Sequence, residues 1–338
     1  MKTIGKVVGW TLAVILVLLA ALFVAVRRPD LPYAGLQAKY GSPADHYMDI
    51  PVYSFGGSSM GVIHLRYRDQ GDPKAAETLV LIHGFAASLA DWEPWVQRLG
   101  GHYRVISIDL PGHGLTLAPK GYRTNTDGFA DLVDQVTTNL GVKRFIVAGN
   151  SMGGGVAWDL ALRHPERLDG LVLVDAVGPP PPGATKPAGG GPVVFQLLRY
   201  PIFRGILSQI DLGPLVSQGL KSAFVDPKLV TPALAARYAD FSRAPGHRGI
   251  LLGLQSGERM DPAAMIARLG TIKTPTLVMA GEADHVIPFA NGQELARAIP
   301  GSTFIAYPGV GHVPMEQIPD KSASDLDGWL GEKVSAKD

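Results

Sequence analysis

Six short segments of this chain are apolar along their whole length, and they restrict the folds that it can adopt. The stretches between most of them have the amphipathic spacing of helices. Strands that are apolar on both sides must be covered on both faces, which is typical of a mostly parallel, twisted sheet wrapped by helices. The sequence therefore predicts an α/β fold. The six segments are 78–83, 103–109, 144–149, 171–175, 274–281 and 302–307.

The regular alternation is interrupted once, between the fourth and the fifth of these segments. Residues 178–262 begin with a Pro/Gly-rich stretch, which can form neither a helix nor a central strand, and continue with several amphipathic helical patterns. The strand pattern then resumes. We therefore expect a helical cap inserted into one core made of 45–177 and 263–332, followed by a tail at 333–338, rather than a second independent domain.

The N-terminal 28 residues differ in character from the rest of the chain. Residues 7–26 are uncharged and almost wholly apolar, and twenty residues of helix span about 30 Å, the thickness of the hydrocarbon core of a bilayer. No A-x-A-like cleavage site follows, so we interpret 1–28 as an uncleaved single-pass transmembrane anchor and 29–44 as a tether. A buried N-terminal helix is the alternative. Two basic residues stand on each side of the span, so the positive-inside rule hardly favours either orientation in the membrane. We expect the body of the protein outside the cytoplasm, on the periplasmic side in a bacterium.

The composition argues against several classes of function. The net charge is +1 with no long basic run, and no spacing is typical of a zinc site or of a nucleic-acid reader, so we expect no nucleic-acid partner. Cysteine is absent, which removes disulfides, thiolate catalysis and cysteine-ligated metals. We expect no metal and no organic cofactor, and no pattern indicates an oligomeric state.

The stretch VAGNSMGGGVAW places one serine between glycines, where an apolar strand gives way to a helix. Gly149-Asn150-Ser151-Met152-Gly153 matches G-x-S-x-G in the strand–turn–helix context that gives the motif its meaning. Such a turn holds the serine in a cramped backbone conformation, so its neighbours two positions away need to be nearly free of side chain. We therefore predict a nucleophile elbow formed by Gly149, Asn150 and Gly153. Ser151 would be the nucleophile, at a helix N-terminus that favours developing negative charge.

A serine hydroxyl is a poor nucleophile, so it needs a histidine to take its proton and a carboxylate to orient that histidine. Asp284 follows the fifth predicted strand and His312 the sixth. Together with Ser151 they leave the carboxyl edge of a parallel sheet, where open α/β sheets build their sites. Asp175, at the end of 171–175, is the alternative acid. Three further histidines lie near strand ends and compete less well as the base: His83, His113 and His285.

The negative charge that develops on the attacked oxygen also needs hydrogen-bond donors. The segment 78–83 runs into the turn His83-Gly84-Phe85, which would aim the backbone N–H of Phe85 towards the nucleophile. The second expected donor is the backbone N–H of Met152, the residue that follows the nucleophile. We predict an oxyanion hole at Phe85 and Met152.

These motifs together resemble the α/β-hydrolase superfamily, and the resemblance covers residues 45–332. HGF, DLPGHG, GNSMGG, GEADHVIP and GVGHVP occur in the order of that family. HGFAASLADWEPW and DLPGHG are similar to the epoxide-hydrolase and dehalogenase branches, whose nucleophile is aspartate; the serine at 151 disfavours both activities. GNSMGG with a helical cap also resembles the carbon–carbon hydrolases of aromatic-ring degradation, which typically carry a more glycine- and proline-rich oxyanion turn than HGFAAS.

The resulting functional hypothesis is a serine hydrolase that cleaves an ester of an apolar acyl, alkyl or aromatic substrate through an acyl-enzyme. The apolar helices of the predicted cap favour such a small, greasy substrate. Three alternatives stay open: a carbon–carbon bond hydrolase of the meta-cleavage type, perhydrolase or haloperoxidase-type chemistry, and a non-catalytic protein that binds a small ligand on the same fold.

Overall fold

The computed structural model describes residues 2–53, 57–181, 200–210, 213–254 and 261–334. The strands of this part of the chain are β1 Asp45–Tyr53, β2 Ser59–Gly71, β3 Thr78–Ile82, β4 Arg104–Ile108, β5 Phe145–Asn150, β6 Leu168–Val174, β7 Thr276–Gly281 and β8 Thr303–Tyr307. They form one sheet in the order β1-β2-β4-β3-β5-β6-β7-β8. β1 and β2 are antiparallel to their neighbours, whereas β3 to β8 all run parallel.

The described helices surround this sheet and fill the segment between β6 and β7. They are α1 Lys2–Val26, α2 Tyr33–Tyr40, α3 Glu93–Leu99, α4 Thr126–Asn139, α5 Met152–Arg163, α6 Pro201–Leu207, α7 Gly213–Ala223, α8 Pro232–Ser242, α9 His247–Leu254, α10 Pro262–Leu269, α11 Phe289–Ala298, α12 Pro314–Gln317 and α13 Pro319–Lys333.

The sheet separates two apolar cores, because successive residues of a strand point to opposite faces. Val80 and Ile82 of β3 belong to the core covered by α4, α5, α10 and α11, and Leu79 and Leu81 to the core covered by α3 and α13. Both faces of the parallel strands are therefore buried. The predicted fold is confirmed: a mostly parallel sheet with helices on both faces.

The helices α6 to α9 lie between β6 and β7, and the residues described there include no strand. This segment is fastened to the carboxyl edge of the sheet, since the Ala223 carbonyl of α7 accepts a hydrogen bond from His312 N at 2.8 Å. The cap boundaries 178–262 stay a prediction. Residues 182–199, 211–212 and 255–260 of that range, and 335–338 of the predicted tail, lie outside the described residues.

The N-terminal helix α1 stands apart from the core. Its Gly9–Val26 portion is 18 residues long, is apolar enough to cross a membrane, and has none of its residues buried in the protein. The absence of burial disfavours the alternative of a soluble core helix. Residues 29–44, predicted as a tether, contain α2, whose Leu36 packs with Leu115 and Phe241.

Candidate active site

Ser151 lies between the buried strand β5 and the first turn of α5, in an unusual backbone conformation. Its φ is 54° and its ψ is −117°, a region that residues with a side chain rarely occupy. The two flanking glycines allow the turn to close. A Cβ at Gly149 would collide with the carbonyl oxygen of Gly153, and a Cβ at Gly153 would collide with that of Ile82. Any larger residue at either position would push the serine out of place.

Asn150 joins three segments that are far apart in sequence. Its side-chain amide donates to the Val174 carbonyl at the end of β6 (3.1 Å) and to the His312 carbonyl in the loop after β8 (2.9 Å). Because Asn150 immediately precedes Ser151, these bonds hold the His312 loop beside the serine turn.

His312 and Asp284 are both buried and are hydrogen-bonded to each other. Nδ1 of His312 donates to Oδ2 of Asp284 at 2.7 Å. The other carboxylate oxygen, Oδ1, accepts from the backbone N–H groups of Val286 (2.6 Å) and Ile287 (3.0 Å). These three donors satisfy both oxygens of the Asp284 carboxylate. With the proton on Nδ1, Nε2 of a neutral His312 is free to accept a proton.

Asp175 lies at the end of β6, next to Asp284, and does not take its place beside His312. Its Oδ1 accepts from the Gly281 N–H at 2.9 Å, and its carboxyl group is in side-chain contact with that of Asp284. Burial, together with the neighbouring Asp284 charge, raises the pKa of Asp175 well above its usual value.

The loop after β3 contacts the serine turn directly. A Cβ at Gly84 would lie 3.2 Å from the Ser151 Cβ and 3.0 Å from Asn150 Oδ1, so any other residue here would press against the serine turn. The loop is held by His83, whose Nδ1 donates to the Gly84 carbonyl (2.7 Å) while its Nε2 accepts from Leu110 N (3.0 Å). Phe85 follows in this loop, and Met152 follows Ser151 on the other side.

The competing histidines have other surroundings. Both ring nitrogens of His83 are used within the loop after β3. His113 is fully buried, and its burial, together with the neighbouring His83 and His247, lowers its pKa well below the usual value. His285 is exposed.

A buried polar cluster beside the site was missed by the sequence reasoning. Asp91, in the turn that precedes α3, accepts from Tyr238 Oη of α8 at 2.6 Å and from Arg237 at 3.3 Å. Glu316 of α12 is half-buried nearby, with its Oε1 buried, and this loss of solvent, together with the charge of Asp91, raises the pKa of Glu316 well above its usual value. These residues join the inserted helices to the core. The local sequence LADW does not indicate this cluster, because Arg237 and Tyr238, which donate to Asp91, are more than 140 positions away.

Comparison with known proteins assigns the family. Residues 77–318 match the model of the alpha/beta hydrolase fold family. The chain belongs to this family. Within the described residues, no group of three or more His, Cys, Asp and Glu side chains is arranged to hold a metal ion.

This α/β hydrolase is similar to enzymes of two kinds. The 2-hydroxy-6-oxononadienedioate/2-hydroxy-6-oxononatrienedioate hydrolase of Paraburkholderia phymatum is 29% identical over 265 residues, which are 76% of this chain and 86% of that enzyme. A membrane phospholipase A described as a bacterial virulence factor has a TM-score of 0.66 at 25% identity, and the match covers 99% of this chain and 100% of that one.

A thermophilic esterase from Thermogutta terrifontis shares the fold, with a TM-score of 0.69 at 24% identity over 86% of this chain and 100% of the esterase. Family and relatives together show that the chain is a hydrolase that acts on a small-molecule substrate.

Proposed function

We propose that this hydrolase cleaves esters with an apolar acyl, alkyl or aromatic group, using Ser151 as nucleophile, His312 as general base and Asp284 as the carboxylate that orients His312. The observation that carries the proposal is the 2.7 Å hydrogen bond between buried His312 and buried Asp284, in a loop that Asn150 holds beside the serine turn.

In the proposed mechanism, Nε2 of His312 takes the proton of Ser151 Oγ as that oxygen attacks the ester carbonyl carbon. The tetrahedral oxyanion is bound by the backbone N–H groups of Phe85 and Met152, each contributing about 3 kcal/mol to the transition state. His312 then gives its proton to the leaving alcohol, and an acyl-enzyme remains. Water, deprotonated by His312, releases the acid and restores Ser151.

The proposed location is the membrane, with 7–26 as a single-pass anchor in the lipid bilayer, an extracytoplasmic body and a helical cap at 178–262. The length and composition of Gly9–Val26 support the anchor. The match to a membrane phospholipase A along 99% of this chain supports an ester substrate that belongs to the membrane.

A fluorophosphonate probe tests the nucleophile, and p-nitrophenyl esters of graded chain length test the reaction. We expect the probe to label the purified wild-type protein and not Ser151→Ala, and the ester hydrolysis to disappear in the same variant. Equal labelling of both proteins would refute Ser151 as the nucleophile. The matched control is Ser208→Ala, which changes a serine of the inserted segment whose hydroxyl donates to the Gly205 carbonyl.

A carbon–carbon hydrolase is the second candidate, supported by the similarity to the Paraburkholderia phymatum enzyme. A 2-hydroxy-6-oxo-dienoate is coloured, so its cleavage is followed by loss of absorbance. Turnover of such a compound with a kcat/KM above that for any p-nitrophenyl ester would replace the ester proposal with this one.

A further inference from the structure

The chain leaving α1 is joined to the inserted helical segment. Arg27 pairs with Ile210 in an antiparallel β-bridge, and Arg28 N donates to the Gln209 carbonyl at 2.8 Å. The end of the candidate span at Val26 is therefore held directly beside residues 209–210, which follow α6.

The next residues strengthen this attachment. Asp30 accepts from Arg248 of α9 at 2.6 Å and from the Gly246 N–H at 3.1 Å, and Leu31 N donates to the Arg243 carbonyl at 2.8 Å. Arg248 is buried, so breaking its pair with Asp30 would leave a buried charge without its partner. The body of the protein therefore cannot turn freely about the end of α1, and the inserted helices are held on the side from which α1 leaves.

Helix α6 presents an apolar surface at this same place. Ile202, Phe203 and Ile206 are exposed to 70%, 37% and 43%. Ile206 is four positions before Ile210, so this C-terminal part of α6 lies within about 13 Å of Ile210, the residue bridged to Arg27, even if the chain between them is fully extended. Clustered apolar side chains on a surface mark an interaction site.

We propose that α6 lies in the interface of the bilayer, with Ile202, Phe203 and Ile206 among the lipids, so that the inserted helices face the membrane. The occupant is lipid rather than another protein because the Arg27–Ile210 bridge joins the residues after α6 to the end of the candidate membrane span, so α6 lies where α1 would leave the bilayer. Interfacial helices bury an apolar face about 5–10 Å into the boundary between headgroups and acyl chains.

The placement has a consequence for the substrate. His312 contacts Ala223 of α7, and Asp91 contacts Tyr238 of α8, so the candidate active site lies under the inserted segment. An ester drawn from the bilayer would therefore reach the site on the membrane side of the molecule. This inference rests on the proposed anchor and on the proposed ester hydrolysis.

The absence of cysteine makes a direct test simple. Three full-length variants, each with one cysteine carrying an environment-sensitive fluorophore, are placed in vesicles of phosphatidylethanolamine and phosphatidylglycerol that contain quencher-labelled lipids. Phe203→Cys reports on α6, Leu18→Cys on the span, and Lys143→Cys on the exposed turn before β5, at the opposite edge of the sheet.

We expect lipid quenching at positions 18 and 203 and none at 143. Quenching at 18 but not at 203 would overturn the placement of α6 and leave the anchor intact. If the fluorophore at position 18 were not quenched, both the membrane anchor and the placement of α6 would be wrong. A disulfide that joins two copies of the unlabelled Phe203→Cys variant, without lipid quenching, would show that a second copy covers α6 instead.

Activity provides an independent measurement. For the double variant Ile202→Asp/Ile206→Asp we expect hydrolysis of a phospholipid ester in vesicles to fall at least tenfold, and hydrolysis of a short soluble ester to stay within twofold of the wild type. Equal rates of the double variant and the wild type on both substrates, or equal falls on both, would refute the lipid contact. A wild type that hydrolyses neither substrate would instead refute the proposed ester function, and the quenching result would still decide the placement of α6.

Discussion

Asp175 and Asp284 are both buried aspartates that follow neighbouring parallel strands, β6 and β7, yet their surroundings differ. Asp284 receives two backbone N–H groups and the imidazole of His312. Asp175 receives one backbone N–H, from Gly281, and its Oδ2 has no hydrogen-bond donor among the described residues. A buried carboxylate is stable only when hydrogen bonds replace its water, and Asp175, which has fewer donors, has a pKa that burial and the charge of Asp284 raise well above its usual value.

The two groups also act on each other. The charge of the neighbouring Asp284 disfavours a second negative charge on Asp175, which adds to the effect of burial in raising the pKa of Asp175.

The largest expected effect comes from Asp284→Asn. The amide no longer stabilises the imidazolium and favours the wrong tautomer of His312, so we expect kcat for ester hydrolysis to fall by about 10⁴ with the fold intact. Steady-state kinetics measure the fall, and circular dichroism checks the fold. Asp175→Asn is the matched control and should lose less than about tenfold; an equal loss in both would show that the two aspartates share the role.

A third buried aspartate, Asp109, tests whether hydrogen-bond donors and a cationic side chain stabilise a buried carboxylate. Asp109 is fully buried, accepts from the Leu89 and Leu115 N–H groups, and pairs with Arg66 at 3.1 Å. Asp109→Asn leaves Arg66 paired with the buried Asp45 at 2.9 Å but removes one of its two carboxylate partners, so the variant should lower the free energy of unfolding by about 2–3 kcal/mol.

Urea unfolding measures this loss. The control is Asp169→Asn, which breaks the partly exposed pair with Arg144 and should cost no more than about 1 kcal/mol. Similar losses in both variants would mean that burial does not set the strength of these pairs.

The last expected effect is a slope rather than a single loss: the pH dependence of stability that Asp175 contributes. Because its pKa is raised in the folded chain, the folded form keeps a proton that the unfolded form releases above about pH 4. The free energy of unfolding of the wild type should therefore fall relative to that of Asp175→Asn as the pH rises, by up to about 1.4 kcal/mol per pH unit, until the folded pKa is passed.

Urea unfolding of both proteins between about pH 5 and about pH 8 measures this difference. The other charged and titratable groups near Asp175 are Asp284, its partner His312, and Tyr307, whose hydroxyl donates to Asp325; all of them are unchanged in the variant. A difference that does not vary with pH would show that Asp175 is ionised in the folded protein.

The sheet could be predicted from the chain because its signal is local. Each strand from β3 to β7 is a short run of apolar residues, buried on both faces, and period and composition are enough to recognise such a run. The position of the serine turn could be predicted for the same reason, since five consecutive residues carry the steric requirement at Gly149 and Gly153.

The cluster around Asp91 and the attachment of Asp30 to Arg248 could not be predicted. Both join segments that are separated by more than 140 residues, and no local pattern distinguishes an aspartate that will be buried from one that will be exposed. The packing of α2 within the stretch 29–44 could not be predicted either, because its partners Leu115 and Phe241 are distant in sequence.

The sequence by itself determined the order of strands and helices and the site of the sharp serine turn, since those depend on the periodicity and size of neighbouring side chains. Only the tertiary structure decided that Asp284 rather than Asp175 accepts the hydrogen bond of His312, and that the end of α1 is held against the inserted helices. Those outcomes depend on which backbone N–H groups and which charged side chains come into contact in the protein interior, where water is excluded. Tertiary packing of distant segments decides those contacts.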